Sequence, residues 1–257
     1  MSEKTIQSAA RWLCGGEWKT GSAEDYFPFF DGRRHIISLV GGGGKSTLLK
    51  YLAQRFAARG MRTAVMTTTR MEVPQQLCSS IGECRACWAQ GIYAACGEKT
   101  ENGKFRAPKD DLLHELLAEA DAIIVEADGA HRLACKAPAE HEPVILPESD
   151  VVIGVMGIDV MGGRIGDVCH RPEHVCALLG CDMAHQLTAQ DMAQILTSER
   201  GTRKSVGIKA FLAVINKCDD EKRLQDGMRV VEALRERGHE QAVLTRFSWQ
   251  EKTADDA

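Results

Sequence analysis

Gly41, Gly42, Gly43 and Gly44, followed directly by Lys45, Ser46 and Thr47, are the residues of this chain best suited to holding phosphate. A glycine run lets the backbone turn tightly and approach a ligand closely, so its N–H groups can converge on one anion. A helix that starts at such a turn adds the positive end of its dipole. Lys45 would then reach the β- and γ-phosphates of a nucleoside triphosphate, and the Ser46 hydroxyl would ligate Mg²⁺. The usual phosphate-loop pattern has a further glycine five residues before Gly44, where this sequence has Leu39. The loop is therefore shortened, or it starts at Gly41.

Two further segments carry chemistry that suits a nucleotide. The apolar run Ala122 to Val125 ends in Glu126-Ala127-Asp128-Gly129. Carboxylates at the end of a strand beside a phosphate loop can hold Mg²⁺, and Glu126 or Asp128 can orient an attacking water. Downstream, Phe211 to Ile215 runs into Asn216-Lys217-Cys218-Asp219. In GTPases an Asn-Lys-x-Asp turn reads guanine: the aspartate accepts from the ring N1–H and amine while the lysine stem covers the ring. That favours GTP over ATP. Thr68 and Arg70 close another apolar run, where a hydroxyl for Mg²⁺ and a cation for phosphate compete with the plainer reading of a strand end.

These groups need elements to position them. His35 to Val40 reads as a buried strand closed by glycine, and Leu48 to Ala58 as a helix stopping at Gly60. Strands are expected at Arg62–Thr68, Asp121–Glu126, Val151–Met156, Phe211–Ile215 and Gln241–Thr245. Helices are expected at Asp110–Ala120 and over about 172–180, 188–197 and 220–237. Residues 2–13 suggest a short helix and 14–33 a loop. Residues 75–107 suggest a small insertion, a helix with a hairpin around Ile92-Tyr93 and Lys104-Phe105. The organisation expected is therefore an N-terminal helix and loop over 1–34 and a nucleotide-binding domain over 35–257. Strands alternating with helices imply an α/β fold with a mainly parallel sheet flanked by helices.

The motifs also occur in a telling order. Ile37-Ser-Leu-Val-Gly-Gly-Gly-Gly-Lys-Ser-Thr47 precedes Thr67-Thr-Thr-Arg-Met71 and Val125-Glu-Ala-Asp-Gly129. Lys136-Ala-Pro-Ala-Glu-His-Glu-Pro-Val-Ile145, His170-Arg-Pro-Glu173 and Asn216-Lys-Cys-Asp219 follow. Across roughly residues 35–220 this series resembles the YqeC family, described as selenium-dependent hydroxylase accessory proteins. Cys135 and Ala134 depart from the aliphatic residue and the proline expected there. The resemblance implies a P-loop NTPase-like fold and a role in maturing a selenium-dependent molybdenum hydroxylase, with that enzyme or its cofactor as partner. The Glu126–Gly129 turn is also similar to that of metallochaperone GTPases, which use hydrolysis to time cofactor delivery.

Lys136, Glu140, His141 and Glu142 lie in a proline-bounded loop after the acidic turn, where they could present charge to a second substrate. His131 and Arg132 could touch phosphate. Cys78, Cys84, Cys87 and Cys96 include a Cys-x-x-Cys pair, so zinc is conceivable, but their irregular spacing favours ordinary thiols. Cys169, His170, His174 and Cys181 read better as a helix start at Pro172 than as a metal site. The net charge of −4 gives no electrostatic footprint for nucleic acid. No apolar run approaches the roughly 20 residues of a membrane span. The N-terminus lacks a signal-peptide layout, so a cytoplasmic protein with reduced thiols is expected. The expected activity is triphosphate hydrolysis. A small-molecule kinase and a non-hydrolysing, nucleotide-dependent chaperone stand beside it.

Overall fold

The computed structural model describes residues 4–72, 74, 76–101, 103–130 and 133–251. In chain order its elements begin with β1 (Lys4–Cys14), β2 (Glu17–Gly21), α1 (Ala23–Tyr26), β3 (His35–Gly41), α2 (Lys45–Ala58), β4 (Thr63–Thr67) and β5 (Met71–Glu72). Then come α3 (Ile81–Ala89), β6 (Ala94–Ala95), β7 (Glu98–Lys99), β8 (Lys104–Arg106), α4 (Asp110–Glu119), β9 (Ala122–Glu126) and β10 (Cys135–Lys136). After β11 (Val151–Gly157) and a 3-10 turn at Ile158–Val160 follow α5 (Ile165–Val168), β12 (Cys169–His170), α6 (Pro172–Leu179) and α7 (Ala189–Thr197). The last elements are β13 (Ala210–Asn216), α8 (Glu221–Glu236) and β14 (Ala242–Glu251).

The apolar, β-branched runs become the inner strands of a nine-stranded sheet, ordered β2-β1-β14-β13-β11-β3-β9-β4-β6. Every neighbouring pair from β14 to β6 is parallel. Strand β3, which leads into the glycine turn, is central, with β9 on one side and β11 on the other. From β3 the chain moves outward to β4 and β6 and returns to β9. It then crosses to β11, β13 and β14 on the opposite side. Such a reversal leaves a crevice at the carboxyl ends of the strands, where α/β sheets bind ligands.

Alternation along the strands assigns the two faces. In β13, Leu212 and Val214 pack on the α2 side with Leu48, Leu52 and Phe56. Ala213 and Ile215 face α7 and α8, against Met192, Ile195, Val231 and Leu234. Leu48, Leu52 and Phe56 recur every fourth residue, so α2 buries one continuous stripe, each side chain contributing roughly 1.5–3 kcal/mol. The helix ends at Gly60, whose φ of +75 closes it.

The N-terminal segment departs from expectation. Residues 4–14 form a strand rather than a helix, paired antiparallel to β14 from Lys4↔Glu251 to Trp12↔Val243. The loop expected after it contains β2, paired back onto β1. Local preference for helix loses because β1 buries Ile6 and Ala10 on one side and gains a full backbone ladder. Contacts to α2 fix its register: the Ile6 N–H donates to Gln54 Oε1 at 3.0 Å, and Ser8 Oγ to Tyr51 Oη at 2.8 Å. β14 accordingly runs on to Glu251, past the Thr245 at which the last strand was expected to end.

Within 75–107 the expected helix is α3, and Lys104-Phe105 lies in β8, which pairs with β5 and β7. Beside Tyr93 there is no hairpin: Ala94–Ala95 instead adds edge strand β6 to β4. Among the described residues, no helix is long and apolar enough to cross a membrane.

Truncating the fully buried Ile6 tests whether β1 belongs to the core. Ile6→Ala should cost about 2–4 kcal/mol in urea unfolding. A loss below about 0.5 kcal/mol would place β1 outside it.

Candidate functional site

The glycine turn is built by close approach. Gly43 has φ +79, and a Cβ there would lie 2.2 Å from the Gly157 nitrogen at the end of β11. Gly44, with φ +120, is the N-cap of α2 and leaves no room beside the Asn216 amide. The N–H groups of the run do not all converge on one point, as the sequence suggested. Gly41 donates to the Asp128 carboxylate at 3.0 and 3.2 Å, Gly42 to the Val155 carbonyl at 2.8 Å and Gly43 to the Leu133 carbonyl at 3.3 Å. The N–H groups of Gly44, Lys45 and Ser46 have no acceptor among the described residues. They lie at the first turn of α2, where orphan donors and the helix dipole attract an anion. Thr47 N–H turns back to the Gly44 carbonyl.

Strand β9 delivers the carboxylates. Glu126 is held in place by its own carbonyl, which accepts from Thr67 Oγ1 and the Thr68 N–H. Its side chain accepts from Ser46 Oγ at 2.9 Å. Burial raises the Glu126 carboxyl above its usual range, opposed by the Lys45 charge and the Ser46 hydrogen bond. Two residues on, Asp128 is 2% exposed and is met by two buried lysines. Lys45 Nζ stands 3.0 Å from Oδ1 and Lys136 Nζ 3.2 Å from Oδ2.

From Lys136 the ion pairs continue away from the loop. Its Nζ also donates to the Gly129 carbonyl at 2.6 Å and to Glu142 Oε2 at 2.7 Å. Arg171 reaches the same Glu142 oxygen at 2.5 Å. The two-residue parallel ladder Cys135↔Cys169 and Lys136↔His170 brings these segments together. Arg171 itself sits at φ +55 as N-cap of α6, before Pro172. A non-glycine residue in that region is strained and persists only where its surroundings hold it. Burial pushes the Glu142 carboxyl up, but hydrogen bonds from Lys136 and Arg171, with their charges, outweigh it and hold it at about 2.

The Asn216–Asp219 turn meets the loop through its asparagine. Asn216 Nδ2 donates to the Gly43 carbonyl at 2.9 Å, and its Oδ1 accepts from Thr245 Oγ1 at 3.1 Å. Lys217, at φ +65, pairs with Asp159 at 2.7 Å. Asp219 is a half-exposed side chain that pairs with Arg223 at 3.0 Å.

Other sequence-singled residues fall outside this group. Thr68 Oγ1 donates to the Val144 carbonyl, so it braces the loop after the acidic turn. Arg70, Glu140 and His141 are exposed, and the Glu140 carbonyl accepts from Lys204. His131 and Arg132 lie outside the described residues. Cys78, Cys84, Cys87 and Cys96 are buried around α3, with Sγ separations of 3.7 Å for Cys78–Cys87 and 3.4 Å for Cys84–Cys96. A hydrogen bond with Cys78 lowers the Cys84 thiol, but the Cys96 thiol and burial together outweigh it and leave Cys84 raised to about 12; Cys87 is raised, chiefly through burial, to about 11. Among the described residues no group of three or more His, Cys, Asp or Glu side chains is disposed to hold a metal ion. Arg171 and Asp159 were not read from sequence as site residues. Only the tertiary pairing of β10 with β12, and of Asp159 with Lys217, exposes their roles.

Comparison with known proteins places this chain in a family. The sequence profile of a family described as "YqeC protein" matches residues 37–173. Over 194 residues the chain is 30% identical to a protein of Escherichia coli (strain K12) called "Uncharacterized protein YqeC", covering 68% of this chain and 72% of that protein.

The ion-pair chain predicts a pH signature. Glu142 lies at about 2 in the fold against an ordinary 4.5. Its stabilisation is thus complete above the ordinary value and is lost as pH falls toward about 2. Glu142→Gln should melt below wild type at neutral pH, and the gap should close between about pH 4.5 and about 2. A gap constant over that range would refute the pairing.

Proposed function

The chain belongs to the YqeC family, and we propose that it binds and hydrolyses a nucleoside triphosphate, GTP by preference. The reaction would serve the maturation of a selenium-dependent molybdenum hydroxylase. The observation that carries the reading is the meeting of the Gly44, Lys45 and Ser46 N–H groups, without an acceptor among the described residues, with Lys45, Ser46, Glu126 and Asp128 at a sheet crevice.

The helix start of α2 binds the phosphates through those N–H groups, and Lys45 exchanges Asp128 for phosphate oxygen. Ser46 and Glu126 are hard oxygen donors already in contact, which suits Mg²⁺. That ion typically takes one or two protein oxygens and completes its shell with phosphate and water. When bound it would neutralise charge on the phosphates. Glu126 is better placed than Asp128 to accept from an attacking water. Asp128 already accepts from the Gly41 N–H and is ion-paired with Lys45 and Lys136, whereas Glu126 Oε1 has no partner among the described residues. Positioning and electrostatics thus supply the catalysis.

Asp219 supports the guanine reading because its carboxylate is half exposed, with Arg223 beside it, on a turn braced to Gly43. A second reading, transfer of the γ-phosphate to a small molecule, is favoured by a cleft of about 410 Å³ lined by Glu140, His174, Arg200 and Lys204. A phosphorylated acceptor, in place of free phosphate, would distinguish it.

Calorimetric titration with Mg·GTP and Mg·ATP tests the assignment. Lys45→Ala should weaken triphosphate binding roughly 100-fold, about 2.7 kcal/mol, while the protein stays folded. Asp219→Asn should lose GTP affinity selectively; unchanged GTP affinity, or a preference for ATP, would sink the guanine assignment. Glu126→Gln should retain binding, lose phosphate release, and melt no lower than wild type at neutral pH, because it removes a charge that burial disfavours. Undiminished turnover would overturn the role of Glu126.

A further inference from the structure

The two buried lysines on Asp128 differ in what their protons do. An ammonium has three N–H donors. Lys136 Nζ donates to the Gly129 carbonyl at 2.6 Å and to Glu142 at 2.7 Å, and forms an ion pair with Asp128 at 3.2 Å. Among the described residues Lys45 Nζ donates to the Gly41 carbonyl at 2.5 Å and forms an ion pair with Asp128 at 3.0 Å. Lys45 belongs to the first turn of α2, beside the N–H groups of Gly44, Lys45 and Ser46 that have no acceptor among the described residues, whereas Lys136 lies in β10 among three oxygen partners.

Movement of Lys45 has a consequence for Asp128. The carboxylate is 2% exposed, so water cannot replace the departing cation. A buried charge stripped of its partner is strongly unfavourable, and that cost would fall on nucleotide binding itself. After Lys45 leaves, Asp128 keeps the Gly41 N–H and Lys136. Lys136 in turn is held by Glu142, which Arg171 also pairs. Two carboxylates face three cations along this chain, so withdrawing one cation leaves each carboxylate still paired.

We propose that Lys136 is a positioning residue for triphosphate binding: it stays on Asp128 as the reserve counter-charge that lets Lys45 move to the phosphates. This rests on the nucleotide reading above and assigns Lys136 no contact with the ligand. Its effect on affinity therefore depends on Asp128 carrying a charge. A lysine that merely fills space, or that touches phosphate directly, has no such dependence.

A double-mutant cycle separates these cases, with Mg·GTP as the probe and titration calorimetry as the readout. Lys136→Met should raise Kd at least tenfold, about 1.4 kcal/mol, in the wild-type background. In the Asp128→Asn background the same substitution should change Kd less than about threefold. Lys136→Arg, which keeps the charge, should stay within about threefold of wild type. Circular dichroism and thermal melts establish that each variant is folded. Should Lys136→Met fail to fold, Lys136→Gln combined with Glu142→Gln withdraws a cation and a carboxylate together, and the cycle is read in the same way. An equal penalty in both backgrounds, or unchanged affinity in Lys136→Met, overturns the proposal while leaving nucleotide binding intact. A wild-type protein that binds neither GTP nor ATP removes the nucleotide reading as well.

Discussion

The Asp128 carboxylate ties together parts of the chain that are far apart in sequence. It accepts the Gly41 N–H where β3 enters the glycine turn, and it pairs with Lys45 at the start of α2 and with Lys136 in β10. Buried charges of this kind add little net stability, because desolvation offsets most of the attraction. What they impose is geometry. Each partner must arrive with correct distance and orientation, and an arrangement lacking one of them is heavily disfavoured. The loop, the helix start and the Pro138–Pro143 segment are therefore specified as one unit by a few polar contacts.

Sheet topology makes that convergence possible. β3, β9, β11 and β13 are parallel neighbours, so Gly41, Glu126, Gly157 and Asn216 all lie at the same edge of the sheet. The backbones approach so closely that side chains are excluded at Gly41 and Gly43. Glycine at these positions serves packing of the loop against β11 as much as any ligand. The absent glycine at Leu39 fits the same picture. Leu39 is still within β3, fully buried on the α2 side, and pairs in register with Glu126. The turn begins only after it.

Much of this was legible in the sequence. The inner strands announced themselves as short β-branched runs ending in glycine or polar turns, because both faces of a parallel strand are buried. The groups at the strand ends were readable for the same reason: Lys45, Ser46, Glu126 and Asp128 sit where a strand or turn stops. What could not be read depends on distant partners. β1 is a strand because β14 lies beside it, and nothing local in residues 4–14 forbids a helix. Arg171 joins the site only through Glu142 and the β10–β12 ladder, and its sequence neighbourhood shows no more than a helix start at Pro172. Glu140 and His141 show how little the loop sequence says about direction. They share a charged loop with Glu142, but only Glu142 turns inward to a cation, and the loop sequence does not distinguish them.

The Asn216–Asp219 turn shows how one short segment serves two ends of a site. Its asparagine points back toward the glycine turn and holds the Gly43 carbonyl, with Thr245 of β14 fixing the amide's other end. Its aspartate faces outward at half exposure. Of the two residues between them, Lys217 is kept at positive φ and anchored to Asp159, so displacing the turn disturbs that pair. Gly44 admits no Cβ because the Asn216 amide fills the space. Displacement of the turn would thus be felt directly at the residue that caps α2. The Asn216–Asp219 turn and the glycine turn are in direct contact, and the placement of each depends on the other.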